Sequence, residues 1–215
     1  MKLTLHNYWR SSASFRVRIG LAFKELPYDY VAVNILDGAQ LTEDYRSLNP
    51  IGQVPTLEVV EDDGRREFIA QSLAILEYLE ERWPEPALLP RDHYLRARAR
   101  MLAEISNAGI QPMHNLVVLK RLKAQGVDEQ AWARTFVTEG LTAFARASAD
   151  VAGKFCVGDT PTVADICLVP QLLSARRFQI DLTGFERLLG IEAHCLAHPA
   201  FNAAMPHHQP DAVNT

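Results

Sequence analysis

The feature that most constrains the fold of this chain is a change of sequence pattern at the proline-rich stretch PEPALLP, residues 84–90. Before it, short segments with strand patterning alternate with helical ones. After it, the helical period dominates and the one strand-like stretch is FCVG at 155–158. Such a change at a proline-rich link is typical of a domain boundary. We therefore expect a small α/β domain over residues 1–84 and an all-helical domain over residues 90–215.

The α/β domain is expected to begin with a strand, a helix and a second strand. Residues 2–7 alternate between polar and apolar side chains, as a half-buried strand does, and residues 28–35 are rich in side chains that favour strands. Between them, Ser14 is predicted to cap a helix over residues 15–24. The order of these elements is that of a βαβ unit.

Three further elements complete the first domain: a short helix near residues 41–48, a hairpin that opens at Pro55, and a helix capped by Ser72. In the helical domain, Thr162 and Asp165 have the spacing of a capping box. We therefore interpret Asp165 as a structural residue rather than a catalytic one.

The composition excludes several functional classes. With 48% hydrophobic and 22% charged residues among 215, the chain is expected to be globular. Its formal net charge of -4 gives no general attraction to nucleic acid. Charges interrupt its apolar stretches before the roughly 18 residues that a membrane helix needs, so we expect no membrane span.

The cysteines and histidines suggest neither disulfides nor a metal site. Cys156, Cys167 and Cys195 are widely spaced without a C-x-x-C pair, which predicts reduced, buried thiols in a cytoplasmic protein. The histidines, including His207 and His208, form no pattern of metal ligands.

A stretch with three serines and three arginines, NYWRSSASFRVRIGL at 7–21, joins the first strand to the first helix. Such a connection presents free amide N–H groups and the positive end of a helix dipole, and therefore favours a bound anion. Ser11, Ser12 and Ser14 either add hydroxyl donors there or only satisfy the turn and cap the helix. A second polar pair, at residues 71–72, stands at another predicted helix N-terminus.

The stretch SSASFRVRIGL, residues 11–21, resembles the S-S-C-x-W-R-V-R-I-A-L signature of the zeta-class glutathione transferases. Ala13 stands where that signature usually has cysteine, and Phe15 stands where it often has tryptophan. The resemblance continues nearly to the end of the chain. The other matching segments are NPIGQVPTL, QSLAILEYLEE, GIQPMHN, VGDTPTVADICLVPQ and RRFQIDL.

The resemblance implies a thioredoxin-like N-terminal domain, an all-helical C-terminal domain, a homodimer, and glutathione as cofactor. It also implies an activity, the cis–trans isomerisation of a maleyl-type enone diacid (maleylacetoacetate or maleylpyruvate) in aromatic catabolism. The resemblance implies that the hydroxyl of Ser12 hydrogen-bonds the glutathione sulfur and that Ser11 lies beside it. Serine is then a donor and not a nucleophile, and a cysteine at position 13 is not essential.

The resemblance assigns the rest of the glutathione site to Gln40, Val54, Gln71, Ser72, Gln111 and Asn115. Val54 would offer its backbone to the cysteinyl part, through a cis peptide bond to Pro55. Gln71 and Ser72 would bind the γ-glutamyl end, and Gln40 would lie over the glycine end.

Gln111 and Asn115 are four residues apart, which we interpret as one helical face that completes the site, although this pair is also common surface chemistry. Arg10 and Arg177 match positions suited to the carboxylates of a dianionic substrate. The other arginines in these segments are expected to lie on the surface or in ion pairs at the domain interface. They are Arg16, Arg18 and Arg176.

Two other functions stay open at this point. The same thiolate activation would serve a general glutathione S-transferase or a glutathione-dependent dehalogenase. The other alternative is a non-catalytic interaction module with the same fold. The candidate glutathione site is intact, which argues against this alternative; its residues are Ser12, Val54, Pro55, Gln71 and Ser72. The sequence does not separate maleylacetoacetate from maleylpyruvate, because both present the same cis enone diacid.

Overall fold

The computed structural model describes residues 1–213 and divides into two compact units. The first unit contains Met1–Pro86 together with the described residues from His198 onward, and the second contains Ala87–Ala197. The boundary between them falls inside the proline-rich stretch at 84–90.

A four-stranded mixed sheet forms the centre of the first unit. Its elements are β1 (Lys2–Asn7), α1 (Ser12–Phe23), β2 (Asp29–Ala32), α2 (Glu43–Leu48), β3 (Thr56–Val60), β4 (Arg66–Ala70) and α3 (Ser72–Arg82). The strand order is β2-β1-β3-β4, with β1 and β2 parallel and the other two pairs antiparallel. The predicted βαβ unit and the hairpin are therefore confirmed.

The core of this unit lies between the sheet and helices α1 and α3. Leu5 and Leu57 on the central strands are fully buried, as are Val17 on α1 and Ile75 and Leu79 on α3. These side chains recur at the strand period of two and the helical period of three to four, which explains why the sequence pattern identified the elements.

The predicted caps of α1 and α3 were wrong. Ser11, in extended conformation with φ -70° and ψ 123°, is the N-cap of α1, and Ser14 lies inside the first turn, where its N–H donates to Ser11 Oγ at 3.2 Å. Ser72 is the first residue of α3, after Gln71. An N-cap residue has a non-helical backbone. The residue type alone does not specify which position has it when two neighbouring residues are both polar.

Helices form the second unit. They are α4 (His93–Glu104), a π-helical segment (Ile105–Ile110), a 3-10 turn (Gln111–His114), α5 (Leu116–Ala124), α6 (Glu129–Ser148), α7 (Val163–Arg177) and α8 (Glu186–Ala197). The predicted capping box is confirmed, because Thr162 accepts from the first turn of α7 and the Asp165 carboxylate accepts from Thr162 N at 2.8 Å. The stretch at 155–158 is not a strand, although an isolated bridge joins Ala152 and Gly158.

The C-terminal segment belongs to the first unit, although we expected residues 90–215 to form one helical domain. Its helix α9 (Pro199–Ala203) packs against α1, with Phe201 fully buried. Arg18 on α1 donates from Nε to the carbonyl of Ala204 at 3.2 Å. Within residues 1–213, none of the helices has the length and apolar character needed to cross a bilayer.

Candidate active site

Strand register brings three of the predicted site segments to one edge of the sheet. His6 near the end of β1 faces Thr56 at the start of β3, and Thr56 faces Ala70 at the end of β4. The loop that follows β1, the turn that precedes β3 and the start of α3 therefore leave the sheet at the same edge.

The loop after β1 ends in the serine pair. Ser11 N donates to the carbonyl of Tyr8 at 3.0 Å, and Ser11 Oγ accepts from Ser14 N. Ser12 is the first residue of α1 and is partly buried. The two serines thus stand at the positive end of a helix of 12 residues, which favours a negative charge such as a thiolate.

The turn before β3 contains the expected cis peptide bond between Val54 and Pro55. Two side chains hold Gln53, the residue before Val54. Tyr45 Oη and Asn49 Nδ2 each donate to the carbonyl of Gln53 at 2.7 Å. Burial raises the pKa of Tyr45, so its hydroxyl stays protonated as a donor.

The start of α3 carries a strained residue beside a buried one. Gln71 has a φ of 72°, in the left-handed region that non-glycine residues seldom adopt, and such outliers concentrate at ligand sites. Ser72 is 3% exposed, and its Oγ accepts from Arg16 Nη1 at 3.3 Å. Because Ser72 Oγ accepts from a guanidinium, its own proton can be directed to an anionic ligand.

Gln40 lies in a 3-10 turn over Ala39–Leu41 and is only 8% exposed. The backbone carbonyl of Gln40 lies close to Gly52, and a Cβ added to Gly52 would lie 3.0 Å from the carbonyl oxygen. The φ of Gly52 is +65°, which also favours glycine at this position. Among the described residues, Gln40 Oε1 is buried without a hydrogen-bond partner. A buried acceptor without a partner is costly unless a ligand donates to it, and a peptide such as glutathione carries N–H donors.

In the helical unit, Gln111 and Asn115 do not share a regular helical face, which corrects our expectation. Gln111 begins the 3-10 turn, whereas Asn115 is extended (φ -63°, ψ 143°) and caps α5 by accepting from Val117 N at 3.0 Å. Gln111 Oε1 is buried and has no hydrogen-bond partner in residues 1–213. Of the two, Gln111 therefore has the side chain that is suited to an external donor.

The two candidate substrate arginines are exposed, and each lies beside an aromatic ring. Arg10 in the first unit lies 5.6 Å from the Trp9 ring centroid. Arg177, the last residue of α7 in the second unit, lies 5.1 Å from the Phe178 centroid. Its neighbour Arg176 is exposed, as expected, and makes a two-pronged contact with Glu192 of the same unit.

Arg16 and Arg18 do not lie on the surface, so that alternative of the prediction is wrong. Both are fully buried, and Arg18 donates to the carbonyl of Trp9 at 2.9 Å and to Asn7 Oδ1 at 2.9 Å. Burial lowers the pKa of Arg18 to about 10. The sequence held a signal for this: α1 carries apolar residues on all sides, which is typical of a helix that is enclosed.

The buried cysteines are not candidate nucleophiles. None of the three forms a disulfide, and burial raises the pKa of Cys156 and Cys195, which keeps them as thiols. In the described part of the chain, no group of three or more His, Cys, Asp or Glu side chains is arranged to hold a metal ion.

Known proteins share this fold and these segments. The profile of the glutathione S-transferase N-terminal domain matches residues 10–82. A maleylacetoacetate isomerase from Dictyostelium discoideum is 43% identical over 98% of this chain and 96% of its own length. A crystal structure of maleylacetoacetate isomerase from Anaeromyxobacter dehalogenans, with glutathione in its active site, is 50% identical (TM-score 0.92) over 99% of this chain and 98% of that one.

A third relative is the holo structure of a bacterial maleylpyruvate isomerase described as a zeta-class glutathione S-transferase. It is 40% identical, with a TM-score of 0.91, over 98% of this chain and 100% of that one. A thioredoxin-like unit followed by a helical unit is the architecture of the glutathione S-transferases. The chain belongs to the zeta class, the family of the maleylacetoacetate and maleylpyruvate isomerases. The expected fold and family are confirmed.

Proposed function

We propose that this chain catalyses the glutathione-dependent cis–trans isomerisation of a maleyl-type enone diacid, either maleylacetoacetate or maleylpyruvate. The observation that carries the proposal is the identity of 43% to 50%, over nearly the whole chain, with enzymes named for this reaction. The Anaeromyxobacter protein has also been solved with dicarboxyethyl glutathione and citrate in its active site, and both of these ligands carry carboxylate groups.

When bound, glutathione supplies a thiolate that adds reversibly to the cis double bond and so permits rotation. Ser12 donates a hydrogen bond from its hydroxyl to that sulfur, and the dipole at the N-terminus of α1 stabilises the thiolate further. Lowering a thiol pKa from about 8.5 to about 6.5 requires roughly 2.7 kcal/mol. A charge-assisted hydrogen bond of about 1.5 to 3 kcal/mol and a helix terminus of about 0.3 to 1 kcal/mol suffice without a general base.

The remaining residues bind and orient. Ser72, with Gln71 beside it, donates to the γ-glutamyl carboxylate at the N-terminus of α3. Val54 offers its peptide groups to the cysteinyl part. The buried amide oxygens of Gln40 and Gln111 accept from donors of the tripeptide, and their lack of hydrogen-bond partners within residues 1–213 supports these roles.

Asn115 is assigned to the same site by resemblance, next to Gln111, and its side chain also caps α5. Arg10 and Arg177 bind the substrate carboxylates, because a guanidinium fork matches a carboxylate in a two-pronged contact.

The test is an assay of both cis diacids with purified protein, with and without glutathione. We expect turnover that depends on glutathione without consuming it. Net consumption of glutathione with an aryl halide, and no isomerisation, would identify a general transferase instead. If the protein fails to bind immobilised glutathione, it is an interaction module and the proposal is wrong.

The proposal includes a homodimer and a cytoplasmic location. Three buried cysteines that form no disulfide support a reducing compartment. Light scattering of the purified protein should give twice the 24.1 kDa mass of the chain.

A further inference from the structure

The C-terminal segment reaches the loop that carries Ser11 and Ser12. Asp211 Oδ2 accepts from the backbone N–H of Trp9 at 3.1 Å, and its other oxygen accepts from the hydroxyl of Tyr30. Trp9 lies two residues before Ser11 in the same loop. Burial raises the pKa of Tyr30, which keeps its hydroxyl protonated and able to donate to Asp211.

The peptide groups of Trp9 are held at both ends. Its N–H donates to Asp211, and its carbonyl accepts from Arg18 Nη2 at 2.9 Å. Arg18 also donates from Nη1 to Asn7 Oδ1 and to the carbonyl of Tyr8, at 2.9 Å and 3.4 Å. The loop between β1 and α1 is therefore fixed by a buried cation on one side and by a carboxylate on the other.

The segment that presents Asp211 is itself anchored. Gln209 is buried and donates from Nε2 to the carbonyls of Ala203 and Met205, at 3.0 Å and 2.8 Å. Pro206 is buried as well. Asp211 is thus held close to Trp9 by a folded segment, so less entropy is lost when its two hydrogen bonds form.

We propose that Asp211 is a positioning residue for the thiol-binding loop: its bond to the Trp9 N–H sets the direction of the Ser12 hydroxyl. This inference rests on the proposed role of Ser12. A hydrogen bond weakens as its geometry departs from linear, and small misplacements of a catalytic group are costly, so a loop released from Asp211 stabilises the thiolate less well.

The test compares Asp211→Ala with Asp211→Asn. The alanine variant leaves the Trp9 N–H without its acceptor, whereas asparagine keeps an oxygen for Trp9 and can donate its amide to the Tyr30 oxygen. In Asp211→Ala we expect the pKa of bound glutathione, read from thiolate absorbance, to rise by about 0.5 to 1. We also expect kcat to fall about tenfold with little change in the KM for glutathione. Asp211→Asn should recover most of both losses.

Amide hydrogen exchange of the glutathione-free protein gives a readout that needs neither substrate nor activity. The peptide covering residues 8–14 should exchange faster in Asp211→Ala than in the parent protein. Asp62→Ala is the matched control, because Asp62 pairs with the N-terminal ammonium in the same unit. It should change neither this exchange nor the thiol pKa. If Asp211→Ala is too unstable to study, Tyr30→Phe removes the other partner of the carboxylate and should give the same changes in smaller degree.

A double variant separates this inference from the proposed function. If Asp211 acts through Ser12, then Asp211→Ala should not raise the thiol pKa further in a Ser12→Ala background. An equal rise in both backgrounds overturns the inference, as does an unchanged exchange of residues 8–14 or a failure of Asp211→Asn to recover. If Ser12→Ala alone leaves the thiol pKa unchanged, the proposed function has failed at Ser12, and the inference about Asp211 fails with it.

Discussion

Ser11 and Ser12 are adjacent, yet they hold different positions at the start of α1. Ser11 Oγ accepts from Ser14 N and closes the first turn of α1. Ser12 follows it at the first helical position, where the helix dipole favours negative charge. The two side chains therefore separate a stability contribution from a proposed catalytic one, within one loop.

Ser12→Ala should lower turnover about 10²-fold, as expected when one preorganised donor to a developing anion is lost. Glutathione binding should change little, while the pKa of the bound thiol rises. Ser11→Ala is the matched control, since it should cost about 1 kcal/mol of stability through the lost cap and move the thiol pKa less. Thiolate absorbance and thermal unfolding measure the two effects, and a larger pKa change in Ser11→Ala would reverse the assignment.

Arg16 is expected to support glutathione affinity through Ser72. Arg16→Lys keeps the charge but not the guanidinium geometry that donates to Ser72 Oγ. We expect the Kd for glutathione, measured by calorimetry, to rise about tenfold, the size of one hydrogen bond from a charged group. Competition by cysteinylglycine, which lacks the γ-glutamyl group, should be unaffected. Equal loss for both ligands would show that Arg16 supports the unit in general.

The sequence identified the candidate site residues that lie in motifs and missed the buried residues that contact those motifs. Ser12, Val54 and Ser72 lie in or directly after the segments that connect to strand ends, so pattern and resemblance locate them. Arg16 contacts Ser72 across 56 positions and Asp211 contacts Trp9 across 202. Contacts between residues so far apart in sequence depend on how other helices pack around α1. The local periodicity of the sequence carries no information about that packing.

At the scale of elements, the capping residue Asp165 of α7 also makes a contact outside its own helix. The sequence identified its capping box, but Asp165 also accepts from the backbone N–H of Cys156 at 2.7 Å. One buried carboxylate thus joins the start of α7 to the preceding turn. By contrast, the caps of α1 and α3 were misplaced, because at both helices a polar residue also stands next to the true cap.

Asp165→Asn should lower the free energy of unfolding by about 2 to 4 kcal/mol, since an amide –NH2 would face a backbone donor inside the core. Urea denaturation measures this loss. Asp128→Asn is the control: Asp128 caps α6 at the surface through Gln130 N and Ala131 N, and its change should lower the free energy of unfolding much less than Asp165→Asn does. If the two variants are equally destabilised, Asp165 contributes only as a cap.

At the scale of the whole chain, the two units carry different parts of the proposed chemistry. The serines, Val54 and Gln71 belong to the first unit, and Gln111, Asn115 and Arg177 belong to the second. The change of periodicity at 84–90 predicted where the first unit ends. It could not predict that the chain returns to that unit after His198, because the helical pattern continues there and the contacts with α1 are long-range.

This division predicts that substrate selectivity can be lost without loss of glutathione binding. Arg177→Ala should reduce kcat/KM for the cis diacid by roughly 10 to 150 fold, which corresponds to a two-pronged guanidinium contact of about 1.5 to 3 kcal/mol. Turnover of a neutral aryl halide should persist. Arg177→Lys should recover only part of the loss, because a point charge does not reproduce the fork.

Arg176→Ala is the matched control for the Arg177 variants, since it removes the adjacent arginine, which pairs with Glu192. It should lower stability without selective loss of diacid turnover. If Arg177→Ala reduces diacid and aryl halide turnover equally, Arg177 supports the fold rather than the substrate. Glutathione affinity and thermal midpoint, measured on the same preparation, distinguish these outcomes: a selective role leaves both unchanged, whereas a structural role lowers the midpoint together with both activities.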